Sequence, residues 1–66
     1  MDAIQIGKKL KELRGNRSIA EVSAILGISK SALCMYETGI RIPRDEVKIK
    51  LATYYGVSVS SIFFEI

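Results

Sequence analysis

The sequence predicts an all-α fold of five short helices, and three observations carry that expectation. Glycines at 15, 27, 39 and 56 punctuate the chain where one apolar period stops and another begins, as helix-ending residues should. Between them, apolar residues recur at spacings of three and four. Ser18, Ser29 and Ser58 stand just ahead of successive runs, where a hydroxyl can accept from an unpaired backbone N–H of a starting helix. Strand-like alternation is confined to Val57 to Ser61.

The first helix is expected over Ala3–Arg14, with Ile6, Leu10 and Leu13 on one face. Its lysines, Lys8, Lys9 and Lys11, read as a solubilising surface. Gly15, Asn16 and Arg17 break the helix, and Ser18 stands three residues before Glu21 in a capping-box pattern. That opens a second helix through Leu26, facing inward with Ile19, Val22 and Leu26. Gly27 can turn left-handed without steric cost, and Ser29 caps a third helix from about Lys30 to Glu37. Pro43 cannot continue a helix but can open one, and Asp45 and Glu46 bring acidic charge to its start. This fourth helix reaches Tyr55, with Val47, Leu51, Tyr54 and Tyr55 at helical spacing. Gly56 ends it, and Ser58 caps a fifth helix carrying Val59, Ile62 and Phe63.

Composition narrows the function classes. The 66 residues suit a single domain, residues 1–66, and the 48% hydrophobic and 26% charged content is that of an ordinary folded domain. The net charge of +3 leans toward a polyanionic partner. With no His and one Cys, neither a disulfide framework nor a Cys/His zinc site can be assembled, so no metal and no cofactor is expected. No nucleophile–base pair suggests an enzyme. The longest uncharged stretch, Leu51 to Phe64, is shorter than the roughly 20 apolar residues of a spanning helix. The first residues lack the basic-then-apolar order of a signal peptide, so a cytoplasmic location is expected.

The informative segment is 19–38, two helices joined by a tight turn. Counting from Ile19, the fifth residue is small (Ser23) and the ninth is Gly27. Apolar residues fill the fourth, eighth, tenth, fifteenth and eighteenth places: Val22, Leu26, Ile28, Leu33 and Tyr36. Ser23 lets the helices approach, Gly27 makes the turn, and the apolar five fix the crossing angle. In these residues, and in Ile-Gly-Lys-Lys-Leu-Lys-Glu-Leu-Arg (6–14), Leu-Gly-Ile-Ser-Lys-Ser-Ala-Leu (26–33), Tyr-Glu-Thr-Gly (36–39) and Leu-Ala-Thr-Tyr-Tyr-Gly-Val-Ser-Val (51–59), the chain resembles the Cro and phage-repressor (CI-like, XRE family) helix-turn-helix domains. The resemblance covers about residues 6–64 and implies a five-helix, lambda-repressor-like fold.

It also implies that the third helix enters the DNA major groove, with Lys30, Ser31, Ala32 and Met35 at base edges. Phosphates would be met by Arg17, Ser18, Ser29, Arg41 and Arg44. Arg14 and Glu37 match the family's ion pair between helices one and three, with a solvent-exposed pair as the alternative. Two positions depart from the family: Ile19 where many members carry Gln, and Ile40 where many carry Lys or Arg. Cys34 reads as Ser-sized filling, with a redox switch as the alternative.

Ile62, Phe63, Phe64 and Ile66 crowd the C-terminus, and the family implies a two-fold dimer there, with Ile62, Phe64 and Ile66 at its interface; the alternative is that Ile62 and Phe63 are core and the other two merely exposed. The expected function is a sequence-specific double-stranded DNA-binding transcriptional regulator, a repressor that meets a near-palindromic operator as a homodimer. The competing reading is a protein-interaction module, such as an antitoxin or regulator partner, that uses the apolar C-terminal helix.

Overall fold

The computed structural model describes residues 2–64, so the expectation for Ile66 falls outside the described residues. Five helices follow one another: α1 (Ala3–Arg14), α2 (Ile19–Leu26), α3 (Lys30–Thr38), α4 (Asp45–Tyr55) and α5 (Val59–Phe63). Among the described residues there is no strand, and the Val57 to Ser61 alternation is absorbed by the start of α5.

Local chemistry sets the boundaries. Asp2 Oδ1 accepts from the N–H groups of Ile4 and Gln5 and so caps α1. Ser18, Ser29 and Ser58 each accept from the N–H three residues on, at 3.0, 3.0 and 3.1 Å. Pro43 does not open α4: it is buried in the preceding loop, Arg44 is the N-cap residue, and the first helical position is Asp45. Gly15, Gly27, Gly39 and Gly56 all carry positive φ. The demand is sharpest at Gly27, because its left-handed turn lets Ile28 N–H close on the Ser23 carbonyl at 3.0 Å. Any Cβ there would strain the backbone.

Each helix supplies two core residues: Ile6 and Leu10, Val22 and Leu26, Leu33 and Tyr36, Leu51 and Ala52, Ile62 and Phe63. Leu13, Ile19, Ile28, Val47, Tyr54, Tyr55 and Val59 pack around them. Full burial of one such large side chain is worth about 1.5–3 kcal/mol, so the shared centre is what holds helices as short as α2 and α5.

α1 packs most extensively against α3. Gly7 makes that approach possible, because a Cβ at this position would overlap the Glu37 carbonyl and stand 2.8 Å from that of Tyr36. Ser23 is likewise buried, at 3% exposure, where α2 meets its neighbours, and its hydroxyl donates to the Ala20 carbonyl. Lys9, expected on a solubilising face, instead donates from Nζ to the Ser61 carbonyl at 2.9 Å and links α1 to α5.

Candidate nucleic-acid interface

α2 and α3 are bent 112° from one another across the Gly27 turn. That lies within the range by which a helix-turn-helix presents its second helix as a ridge. Among the described residues no single helix is long and apolar enough to cross a membrane.

α3 has two distinct sides. Leu33 is fully buried and Tyr36 nearly so, while Lys30, Ser31 and Cys34 are exposed and Ala32 and Met35 are half-buried. Lys30, Cys34 and Thr38 fall at i, i+4 and i+8 and therefore share one stripe. Cys34 is thus surface, not interior filling, and its four-residue offset from Lys30 was the signal for that placement. Thr38 Oγ1 donates to the Cys34 carbonyl at 2.8 Å. At the far end of α3 the N–H groups of Ile40 and Arg41 both reach the Met35 carbonyl.

The back of α3 is held by Arg14. Its Nε donates to Glu37 Oε2 at 2.7 Å and its Nη2 to Oε1 at 3.0 Å. The two side chains are 15% and 6% exposed, so this is a shielded, bidentate pair and not a solvent-exposed one. Hydrogen bonding from Glu37 holds the Arg14 guanidinium above its ordinary pKa, against the opposing effect of burial. Nη1 of the same guanidinium donates to the Arg17 carbonyl, which extends the brace into the loop before α2.

The expected phosphate contacts divide. Ser18 and Ser29 sit at the N-termini of α2 and α3, their oxygens already accepting as caps. Arg41 and Arg44 are exposed and line a hollow of about 320 Å3 with Tyr36, Ile42, Glu46 and Val47. Arg17 has a different neighbourhood, since its guanidinium carbon lies 5.1 Å from the Tyr54 ring centre and 5.4 Å from that of Tyr55.

The expected dimer residues divide as well. Ile62 is only 2% exposed and belongs to the chain's own core, since α5 packs against α1 and α4 with that side chain buried; it is not available to a second copy. Phe64 is 59% exposed and shares a surface groove with Asp45, Lys48, Ile49 and Val59. Ile19 is half-buried against the core, whereas Ile40 is 75% exposed.

Two further residues escaped the sequence reading. Lys48 is buried at 8% exposure, with its Nζ over the rings of Phe63 and Phe64 at 5.6 and 5.3 Å. Lys50 Nζ donates to the Leu26 carbonyl at 3.4 Å and places positive charge at the C-terminus of α2.

A helix-turn-helix family model, that of XRE-type, Cro/CI-like regulators, matches residues 8–62. No curated protein and no solved structure matches the chain. With the motif, the exposed α3 ridge and this match in agreement, the chain belongs to the XRE family of helix-turn-helix DNA-binding transcription regulators.

Proposed function

We propose that residues 1–66 act as one domain that binds a near-palindromic double-stranded operator sequence-specifically, as a homodimer, and represses by occupying a promoter. The observation that carries the reading is the split character of α3: Lys30 and Ser31 face solvent while Leu33 and Tyr36 fix the helix from beneath. In this reading Lys30, Ser31, Ala32 and Met35 meet base edges in the major groove. Lys30 donates to guanine O6 and N7, and Ala32 or Met35 supplies apolar contact to a thymine methyl. Ser18 and Ser29, the first N–H groups of α2 and α3, and Arg41 and Arg44 hold phosphates. The regulator acts on DNA in the cytoplasm, without metal or cofactor and without catalysis.

Dimerisation is supported by size and by surface. The longest axis of the chain is 27 Å, whereas half-sites one helical turn apart lie about 34–36 Å from each other, so one chain reads one half-site. Phe64 and Ile49, both 59% exposed and lining one groove, give a second copy an apolar surface to cover.

Selection of bound duplexes from a random pool at two salt concentrations tests this reading. A near-palindromic motif with half-sites one turn apart is expected, along with a dimer by sedimentation that Phe64→Asp converts to monomer. A monomeric mass that Phe64→Asp does not alter removes the dimer. A second reading, a protein-interaction module such as an antitoxin or regulator partner, draws on exposed Ile40 and Phe64. It predicts partner binding that changes little with salt, where phosphate neutralisation gives a steep linear fall of log affinity.

A further inference from the structure

Arg17 precedes the N-cap of α2 and sits where α1, α2 and α4 meet. Its guanidinium rests against Tyr54 and Tyr55, whose rings are tilted by 60° with centroids 5.1 Å apart and so form an angled seat at the end of α4. Nη2 donates to the Leu13 carbonyl at 3.3 Å, which ties the side chain to the last turn of α1. The backbone is pinned too: Arg17 N–H donates to the Arg14 carbonyl at 3.1 Å, and the Arg17 carbonyl accepts from Arg14 Nη1 at 2.6 Å. Arg14 carries the connection on to Glu37 of α3.

The next residue is Ser18, which receives the N–H groups of Glu21 on Oγ and Val22 on its carbonyl. Ile19 and Ala20, at the first two helical positions, have no intrahelical acceptor, so their N–H groups are the donors an anion can use. Whatever fixes residue 17 therefore fixes where those donors point.

We propose that Arg17 is a positioning residue and not a phosphate ligand: seated on Tyr54 and Tyr55, it holds the N-terminus of α2 in register with the recognition helix. This rests on the DNA-binding reading above. A planar guanidinium suits the task because it stacks on aromatic faces while its edge donates, which a lysine ammonium, a hydrated point charge, cannot reproduce.

The test compares Arg17→Ala, Arg17→Lys, Tyr54→Leu and the double variant Arg17→Ala/Tyr54→Leu with the wild-type chain, using a duplex selected for the wild type over a salt series. Arg17→Ala and Arg17→Lys are each expected to weaken binding about five- to tenfold with the slope of log affinity against log salt unchanged. Tyr54→Leu is expected to cause a comparable loss, and the double variant no further one. A slope shallower by about 0.9 in Arg17→Ala, restored by Arg17→Lys, makes Arg17 a phosphate ligand and overturns the proposal. Unchanged affinity overturns it equally.

Amide hydrogen exchange at Glu21 and Val22 in the free protein gives a readout that needs no DNA. Faster exchange in both Arg17 variants is expected, and unchanged exchange overturns the positioning role whether or not DNA binds. Should the wild-type chain bind no duplex at low salt while exchange still accelerates, the DNA-binding reading fails and the positioning of α2 stands.

Discussion

Gly7 lies so close to Glu37 that a methyl group on it would overlap the Glu37 carbonyl oxygen and stand 2.8 Å from that of Tyr36. The contact joins the middle of α1 to the C-terminal turns of α3, backbone against backbone, and neither partner can rotate away as a side chain would. In an exposed helix a Gly→Ala change gains up to about 1 kcal/mol from propensity. Here overpacking opposes that gain, and Gly7→Ala is expected to destabilise the fold by about 1–3 kcal/mol net in chemical denaturation. An unchanged or raised midpoint would mean that α1 and α3 can separate at no cost.

Arg14 and Glu37 brace the same junction through side chains. Removing one partner leaves the other charge shielded and unpaired, so Arg14→Ala is expected to cost about 2–4 kcal/mol. Replacement of both by apolar residues of similar volume is expected to cost less than the single change. Urea unfolding of the single and double variants measures both, and a single variant within 0.5 kcal/mol of wild type, on the order of an ordinary surface substitution, would show the pair to be dispensable.

Lys30 opens α3 and is exposed. If it reads guanine, Lys30→Ala relaxes preference at one base pair of each half-site by about 1–3 kcal/mol and leaves the preferences elsewhere intact. Competition binding against single-base operator variants measures that directly. A uniform loss across all sequences would make Lys30 a backbone contact instead.

Tyr55 carries a buried hydroxyl with no hydrogen-bond partner among the described residues. Burial pushes its pKa up, the Glu37 carboxylate adds to the rise, and Arg17 and Arg14 oppose it. A raised value means that the unfolded chain releases the phenolic proton first as pH climbs. The stability tied to the neutral ring is therefore complete below about pH 10 and lost as pH rises through the higher folded value. The melting temperature should fall above about pH 10, and Tyr55→Phe should fall less steeply. At pH 7 the same variant is expected to alter stability by less than about 1 kcal/mol, since the lost hydroxyl has no hydrogen-bond partner among the described residues.

All five helices were legible in the sequence because their signals are local. Ser18, Ser29 and Ser58 act on N–H groups three residues away, and Gly27 and Gly39 close turns within five residues, so nothing distant is needed to place them. Core membership followed from periodicity for the same reason, with Ile6, Leu10, Leu33 and Leu51 inside. The bidentate geometry of Arg14 and Glu37 rests on residues 23 apart and is described only by the folded chain, although the resemblance named the pair.

What the chain alone could not determine was the assignment of each long or ambiguous side chain to a neighbour. Lysines look alike in sequence, yet Lys9 reaches α5, Lys48 lies under two phenylalanines and Lys50 meets the end of α2, because long stems find whichever carbonyl or ring the packing brings near. Ile62 and Phe64, two residues apart, part company for a similar reason: α5 turns one into the core and leaves the other outside. Arg17 is the clearest case. The family resemblance set it among the phosphate contacts, and only the return of α4 to the start of α2 put two tyrosine rings beside it. Backbone conformation is set by neighbours in sequence, whereas the surroundings of a side chain are set by neighbours in space.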